Sequence, residues 1–87
     1  MRYTYDDQAD ALYVRLVEDA GVARSVVVDD DRTVDVDDSD RVVGIEILGA
    51  SEGFILRDLI ERFSLDAFGE HLKKLEQAKF ERVISAS

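Results

Sequence analysis

The sequence predicts an α+β domain: an antiparallel β-sheet of about five strands, a meander of hairpins, followed by two C-terminal helices. Three observations predict it. Through residues 1–50 apolar residues alternate with polar ones at period two, the mark of strands buried on one face. From Ser51 onward the period becomes helical. The links between the alternating runs are short and rich in Asp, so they suit tight turns, whereas a parallel crossover needs a dozen residues or more. With 87 residues the chain supports one core, and 1–87 reads as a single domain with a sheet half (1–50) and a helical tail (51–87).

In the first strand, about 1–5, Met1, Tyr3 and Tyr5 alternate with Arg2 and Thr4. Asp6-Asp7-Gln8 then turns the chain. In the second, about 11–17, Leu12, Val14 and Leu16 point one way while Tyr13 and Arg15 point the other. Glu18-Asp19-Ala20-Gly21 leads to a third strand at about 22–29, and Asp29-Asp30-Asp31 to a fourth at about 33–37, where Val34 and Val36 oppose Asp35 and Asp37. The last strand, about 41–48, follows Asp37-Asp38-Ser39-Asp40 and sets Ile45 and Ile47 against Gly44, Glu46 and Leu48.

The first helix carries an apolar stripe of Ile55, Leu56, Leu59, Ile60 and Phe63, with Asp58 and Arg62 as an i,i+4 pair on its other side. Ser64 or Asp66 is positioned to cap a second helix, with Gly69 a weak spot near its start. Leu65, Phe68, Leu72, Leu75, Phe80, Val83 and Ile84 supply its apolar positions, and Glu70 pairs with Lys74. That helix is long for so small a domain. Its far part is expected to project and pack on a second subunit, which makes the expected assembly a homodimer.

Composition narrows the function. Twenty acids against eleven bases give a net charge of −9, so sequence-independent nucleic-acid binding, which draws on Lys and Arg neutralising phosphates, is not expected. No cysteine and only one histidine are present, which excludes disulfides, thiolate sites and multi-histidine metal centres. No cofactor is expected. The start of the chain has no apolar stretch after a basic residue, no run approaches the roughly 20 apolar residues of a membrane span, and the expected location is the cytoplasm.

Candidate chemistry rests on carboxylates. Asp35 to Glu46 nearly scans as a calcium loop, with oxygens at positions 1, 3 and 5 (Asp35, Asp37, Ser39) and Glu46 at position 12. Asp40 stands where the loop needs Gly, and the flanks read as strands, so an acidic hairpin is the competing reading. The cation set on the first reading is Asp35, Asp37, Asp40 and Glu46. A carboxylate-dependent hydrolase would draw instead on Asp6, Asp10 or Glu46, but charged residues on strand faces are usually solvated. His71 has no partner motif. Arg41, among so many acids, is expected to pair with a neighbouring Asp.

Two segments carry a family resemblance. Tyr5-Asp6-Asp7-Gln8-Ala9-Asp10-Ala11-Leu12-Tyr13-Val14 resembles the opening of domain of unknown function family 2283. Val34-Asp35-Val36-Asp37 followed by Arg41-Val42-Val43-Gly44-Ile45-Glu46-Ile47-Leu48 resembles its second signature. The resemblance covers residues 1 to about 51 and leaves the tail without an implied role. It implies a small bacterial protein without an established activity, in some cases a partner of toxin-like neighbours, so that an acidic chain masks a small basic protein. Its shared polar positions here are Asp6, Asp10, Asp35, Arg41 and Glu46, the candidate binding residues. Asp6 and Asp10 have turn-shaping as their structural alternative, and Gly44 a bulge or a close approach. The expectation is a non-catalytic protein-binding module, with a divalent-cation domain as the alternative.

Overall fold

The structure, a computed structural model, describes residues 1–81. Five strands form one antiparallel sheet: β1 (Arg2–Asp6), β2 (Ala11–Arg15), β3 (Arg24–Val27), β4 (Arg32–Val36) and β5 (Val42–Leu48). Two helices follow, α1 (Arg57–Arg62) and α2 (Gly69–Gln77), each preceded by a short 3-10 turn, at Ala50–Glu52 and Asp66–Phe68.

The strand order is β1-β2-β5-β4-β3, which corrects the simple meander. Three hairpins form as the short links require, but the link from β2 to β3 joins strands that are not neighbours. β5 takes the place beside β2 instead. It is the longest strand, and Val42, Val43, Ile45 and Ile47 are all buried. At the centre its backbone is hydrogen-bonded on both sides while its apolar side chains are covered. Arg15 holds the crossing link, donating to the carbonyls of Glu18 and Ala20.

Alternation sorts the two faces as expected. The register Tyr5–Leu12–Ile47 and Tyr3–Val14–Ile45–Val34–Val26 lines up the core face. Against it pack Leu56, Leu59 and Ile60 from in and before α1, then Leu65, Leu72 and Leu75. The opposite face carries Thr4, Tyr13, Glu46 and Thr33 in one row and Arg2, Arg15, Gly44, Asp35 and Ser25 in the next.

The tail differs from expectation in its details. The first helix is shorter than its stripe, because residues 53–56 run without helical structure before Arg57. Neither Ser64 nor Asp66 caps a helix through its side chain. Ser64 adopts φ 56, a left-handed residue that reverses the chain between the helices. Glu76 on α2 supplies the missing cap for α1: its carboxylate accepts from the backbone amides of Leu56 and Arg57, and from Arg57 Nε at 3.2 Å.

The second helix is not long. It ends at Gln77, Ala78 is extended, and Phe80 folds back among Tyr3, Tyr5 and Phe54, with ring centroids 5.1–6.1 Å apart. Phe80 therefore belongs to the chain's own core rim, and the projecting helix that motivated a homodimer is absent from the described residues. Val83 and Ile84 lie outside them.

Candidate functional site

Asp10 is the buried acid among the described residues, 6% exposed, and it sits at φ 52 at the end of the β1–β2 turn. Its carboxylate accepts from the Tyr5 hydroxyl at 2.7 Å, the Ser51 amide at 2.8 Å and the Ser51 hydroxyl at 2.6 Å. It ties the first hairpin to the segment leaving β5. Asp6 is exposed and shapes the same turn, accepting from the amides of Gln8 and Ala9. Both acids accept hydrogen bonds that hold the first turn and its surroundings in place.

On the open face Tyr13 reaches across Gly44 to Asp35. Its hydroxyl donates to Asp35 Oδ2 at 2.8 Å, and Ser25 donates to Asp35 Oδ1 at 2.6 Å. A Cβ on Gly44 would lie 2.7 Å from Tyr13 Cζ, so close approach is what the glycine provides. The ladder with β4 slips by one residue beside it, Asp35 pairing with Gly44 and Val36 with Val42, leaving Val43 as the extra residue of a bulge. Burial, then the hydrogen bond and negative charge of Asp35, raise the Tyr13 pKa above the ordinary phenol value. Glu46 is exposed on this face, cross-strand to Tyr13 and Thr33.

The acidic hairpin is built by Asp37. It accepts from the amides of Ser39 and Arg41 at 2.9 Å each and from Arg41 Nε at 3.1 Å. These bonds, the Arg41 amide first, hold its carboxyl below the usual carboxylate range. Arg41 thus takes the neighbouring Asp expected for it. Asp40 instead pairs with Arg24. The structure does not gather Asp35, Asp37, Asp40 and Glu46 around a point, and among the described residues no group of three or more His, Cys, Asp or Glu is placed to hold a metal ion. Asp6, Asp10 and Glu46 do not converge either: one shapes an exposed turn, one is buried against Tyr5 and Ser51, and one stands on the open face.

A different constellation lies at the other end of the sheet. Arg32 occupies a core-facing position of β4, in register with Ile47, and its side chain is 15% exposed. It donates to Asp29 from Nε (2.9 Å) and Nη2 (2.8 Å), to Asp58 from Nη1 (2.6 Å) and Nη2 (2.8 Å), and to the Ile55 carbonyl from Nη1 (2.9 Å). All five N–H donors are used. The paired carboxylates raise the Arg32 pKa, and Arg32 in turn lowers those of Asp29 and Asp58.

The i,i+4 pairing of Asp58 with Arg62 is therefore replaced. Asp58 binds a strand residue, and Arg62 lies over the Phe63 ring, 5.1 Å from its centroid. The signal for this network was present in the alternation, because Arg32 falls on the inward register with Val34 and Val36. A charge on that register needs partners from the covering layer.

Beside Arg32 opens a hollow of about 530 Å³. Asp29 and Asp31 line it from the β3–β4 turn, Ile47 and Leu48 from the end of β5, and Glu52, Phe54, Ile55 and Asp58 from the segment entering α1. Leu48 and Ile55 are 43% and 63% exposed.

Residues 2–51 match the family described as Protein of unknown function (DUF2283). No curated protein and no solved structure matches the chain.

Proposed function

Since the chain belongs to DUF2283, a family of small uncharacterised bacterial proteins, we propose from its own surface that it is a non-catalytic binding module for a basic protein partner. One observation carries this reading. Residues 1–50 hold thirteen acids and five arginines, and all five arginines are engaged within the chain. Arg2 pairs with Glu18, Arg24 with Asp40, Arg32 with Asp29 and Asp58, and Arg41 with Asp37, while Arg15 is bound to carbonyls. Asp19, Asp30, Asp31, Asp38 and Glu46 are exposed and carry no ion pair among the described residues.

The surplus negative charge of the sheet half thus faces outward, with that half's own arginines already engaged. A basic protein supplies the complement, and electrostatic steering accelerates the encounter. The antitoxin-like form of this reading has the domain mask a basic, RNA-directed neighbour. No helix among the described residues is long and apolar enough to cross a membrane, and the partner we propose is a protein rather than a lipid surface.

The test is affinity capture with the immobilised domain from a bacterial lysate at low salt, followed by stopped-flow association with any captured protein. The expected result is a protein of high pI whose on-rate falls steeply as salt rises. Capture of an acidic or neutral partner with a salt-independent on-rate would reject the electrostatic reading.

A further inference from the structure

We propose that the hollow between the β3–β4 turn, the end of β5 and the entry to α1 is where that partner docks, taking a Lys or Arg side chain flanked by an apolar residue. This rests on the basic-partner reading and adds to it a place and a chemistry. Two of the chain's exposed large hydrophobic residues, Leu48 and Ile55, line this hollow with half-buried Phe54. The apolar part of the wall is matched by acids at the same opening. Asp29 and Asp58 are committed to Arg32, whose donors are all occupied, so Arg32 has no donor left for an anionic guest. Asp31 and Glu52 are exposed and have no ion pair among the described residues.

Apolar walls with unpaired acids suit a guest that is apolar along its stem and positive at its tip. A Lys or Arg side chain is such a guest, laying its methylenes on apolar surface while its head reaches carboxylates. A bare metal ion would not use Leu48, Phe54 or Ile55, and an uncharged apolar segment would not use Asp31 or Glu52. Charge complementarity commits the site to a basic peptide segment.

The experiment is an amide NMR titration of the uniformly ¹⁵N-labelled protein at low salt. The probe is the synthetic tripeptide acetyl-Leu-Arg-Phe-amide, compared with the same peptide carrying citrulline in place of Arg. We expect saturable shifts centred on Leu48, Gly49, Gly53 and Ile55, and binding about fivefold weaker for the citrulline peptide, the upper range for an exposed ion pair. Asp31→Asn with Glu52→Gln should weaken the Arg peptide similarly, and Ile55→Ser should weaken both peptides. The spectrum itself reports whether each variant is folded. Equal binding of the two peptides, or the same shifts produced and competed by calcium alone, would overturn the proposed guest. Shifts at the Asp37–Arg41 hairpin instead would overturn the site and leave the basic-partner reading standing. No shift anywhere with the Arg peptide would overturn both.

Discussion

Glycine in a strand interior costs about 0.5–1 kcal/mol relative to alanine, through the chain entropy it loses on folding. Gly44→Ala should therefore stabilise a central strand, and its φ does not fall among the positive values that would forbid a side chain. We predict the opposite. The new Cβ would lie 2.7 Å from Tyr13 Cζ and 3.3 Å from Cε1, against about 3.5–4.0 Å for carbon atoms in contact. The ring has to move by ~1 Å, and that displaces the hydroxyl from Asp35 Oδ2, now 2.8 Å away. A hydrogen bond to a charged acceptor contributes about 1.5–3 kcal/mol, less at this half-exposed position. Lost hydrogen bonding and displaced packing together exceed the entropy gain, so Gly44→Ala should destabilise by ~1–2 kcal/mol. In a Tyr13→Ala background the three atoms that crowd the methyl are gone, and the same substitution should be neutral or stabilising by ~0.5 kcal/mol. Urea unfolding followed by far-ultraviolet circular dichroism on the four proteins measures the cycle. Equal effects of Gly44→Ala in both backgrounds, or stabilisation in the parent, would refute the close-approach argument.

Other perturbations bear on the remaining networks. Asp10→Ala should cost ~2–4 kcal/mol in urea unfolding, since it removes the acceptor of the Tyr5 hydroxyl and of the Ser51 amide and hydroxyl and puts alanine at φ 52, whereas Asp10→Asn should cost less because Asn tolerates that region and keeps an acceptor. Asp29 and Asp58 have lowered folded pKa values, so their contribution is present above the ordinary carboxylate pKa and is lost as pH falls through the folded values. Arg32→Met should lower stability at neutral pH and flatten the acid limb of a stability–pH profile. Tyr13 has a raised pKa, so its contribution is present below the unfolded phenol value of about 10 and is lost as pH rises through the folded one. Tyr13→Phe should remove that alkaline slope, and absorbance titration at the phenolate band should lose a component that titrates above the ordinary phenol value.

How much of this was legible depended on whether the information was local. Period-two alternation placed four of the five strands, the third being read from the turn formers on either side of it, and it set Leu12, Val14, Leu16, Val34, Val36, Ile45 and Ile47 apart from their polar neighbours, because which face a residue occupies follows from its neighbours two positions away. Strand order is not local. Which strand pairs with β2 depends on which strand gains most from the sheet centre, and short links favoured β3 until the burial of β5 outweighed them. The tail departs from the expectation at Phe80, whose position continues the helical spacing of Leu72 and Leu75 although the helix ends at Gln77. Phe80 instead satisfies itself against Tyr3, Tyr5 and Phe54, a tertiary contact with the opposite end of the chain. The Asp29–Arg32–Asp58 network belongs to no motif, and its partners lie far apart along the chain. An inward-facing charge carried the better signal.

The polar residues that carry the family resemblance and those that line the proposed docking site are different residues. Asp6, Asp10 and Asp35 accept hydrogen bonds from the chain itself, and Arg41 binds Asp37. Residues that hold the first hairpin to Ser51, the Tyr13 ring over Gly44 and the β4–β5 turn are occupied in keeping the sheet in register. The family match ends at residue 51, in the 3-10 turn just after the sheet. Asp29, Asp31, Arg32, Ile47 and Leu48 line the hollow from within the matched segment, and Glu52, Phe54, Ile55 and Asp58 line it from beyond. A partner seated there would touch the shared framework on one side and this chain's own tail on the other. On the proposed reading, exchanging residues 52–58 should therefore change which basic segment binds while the sheet-forming half keeps its fold.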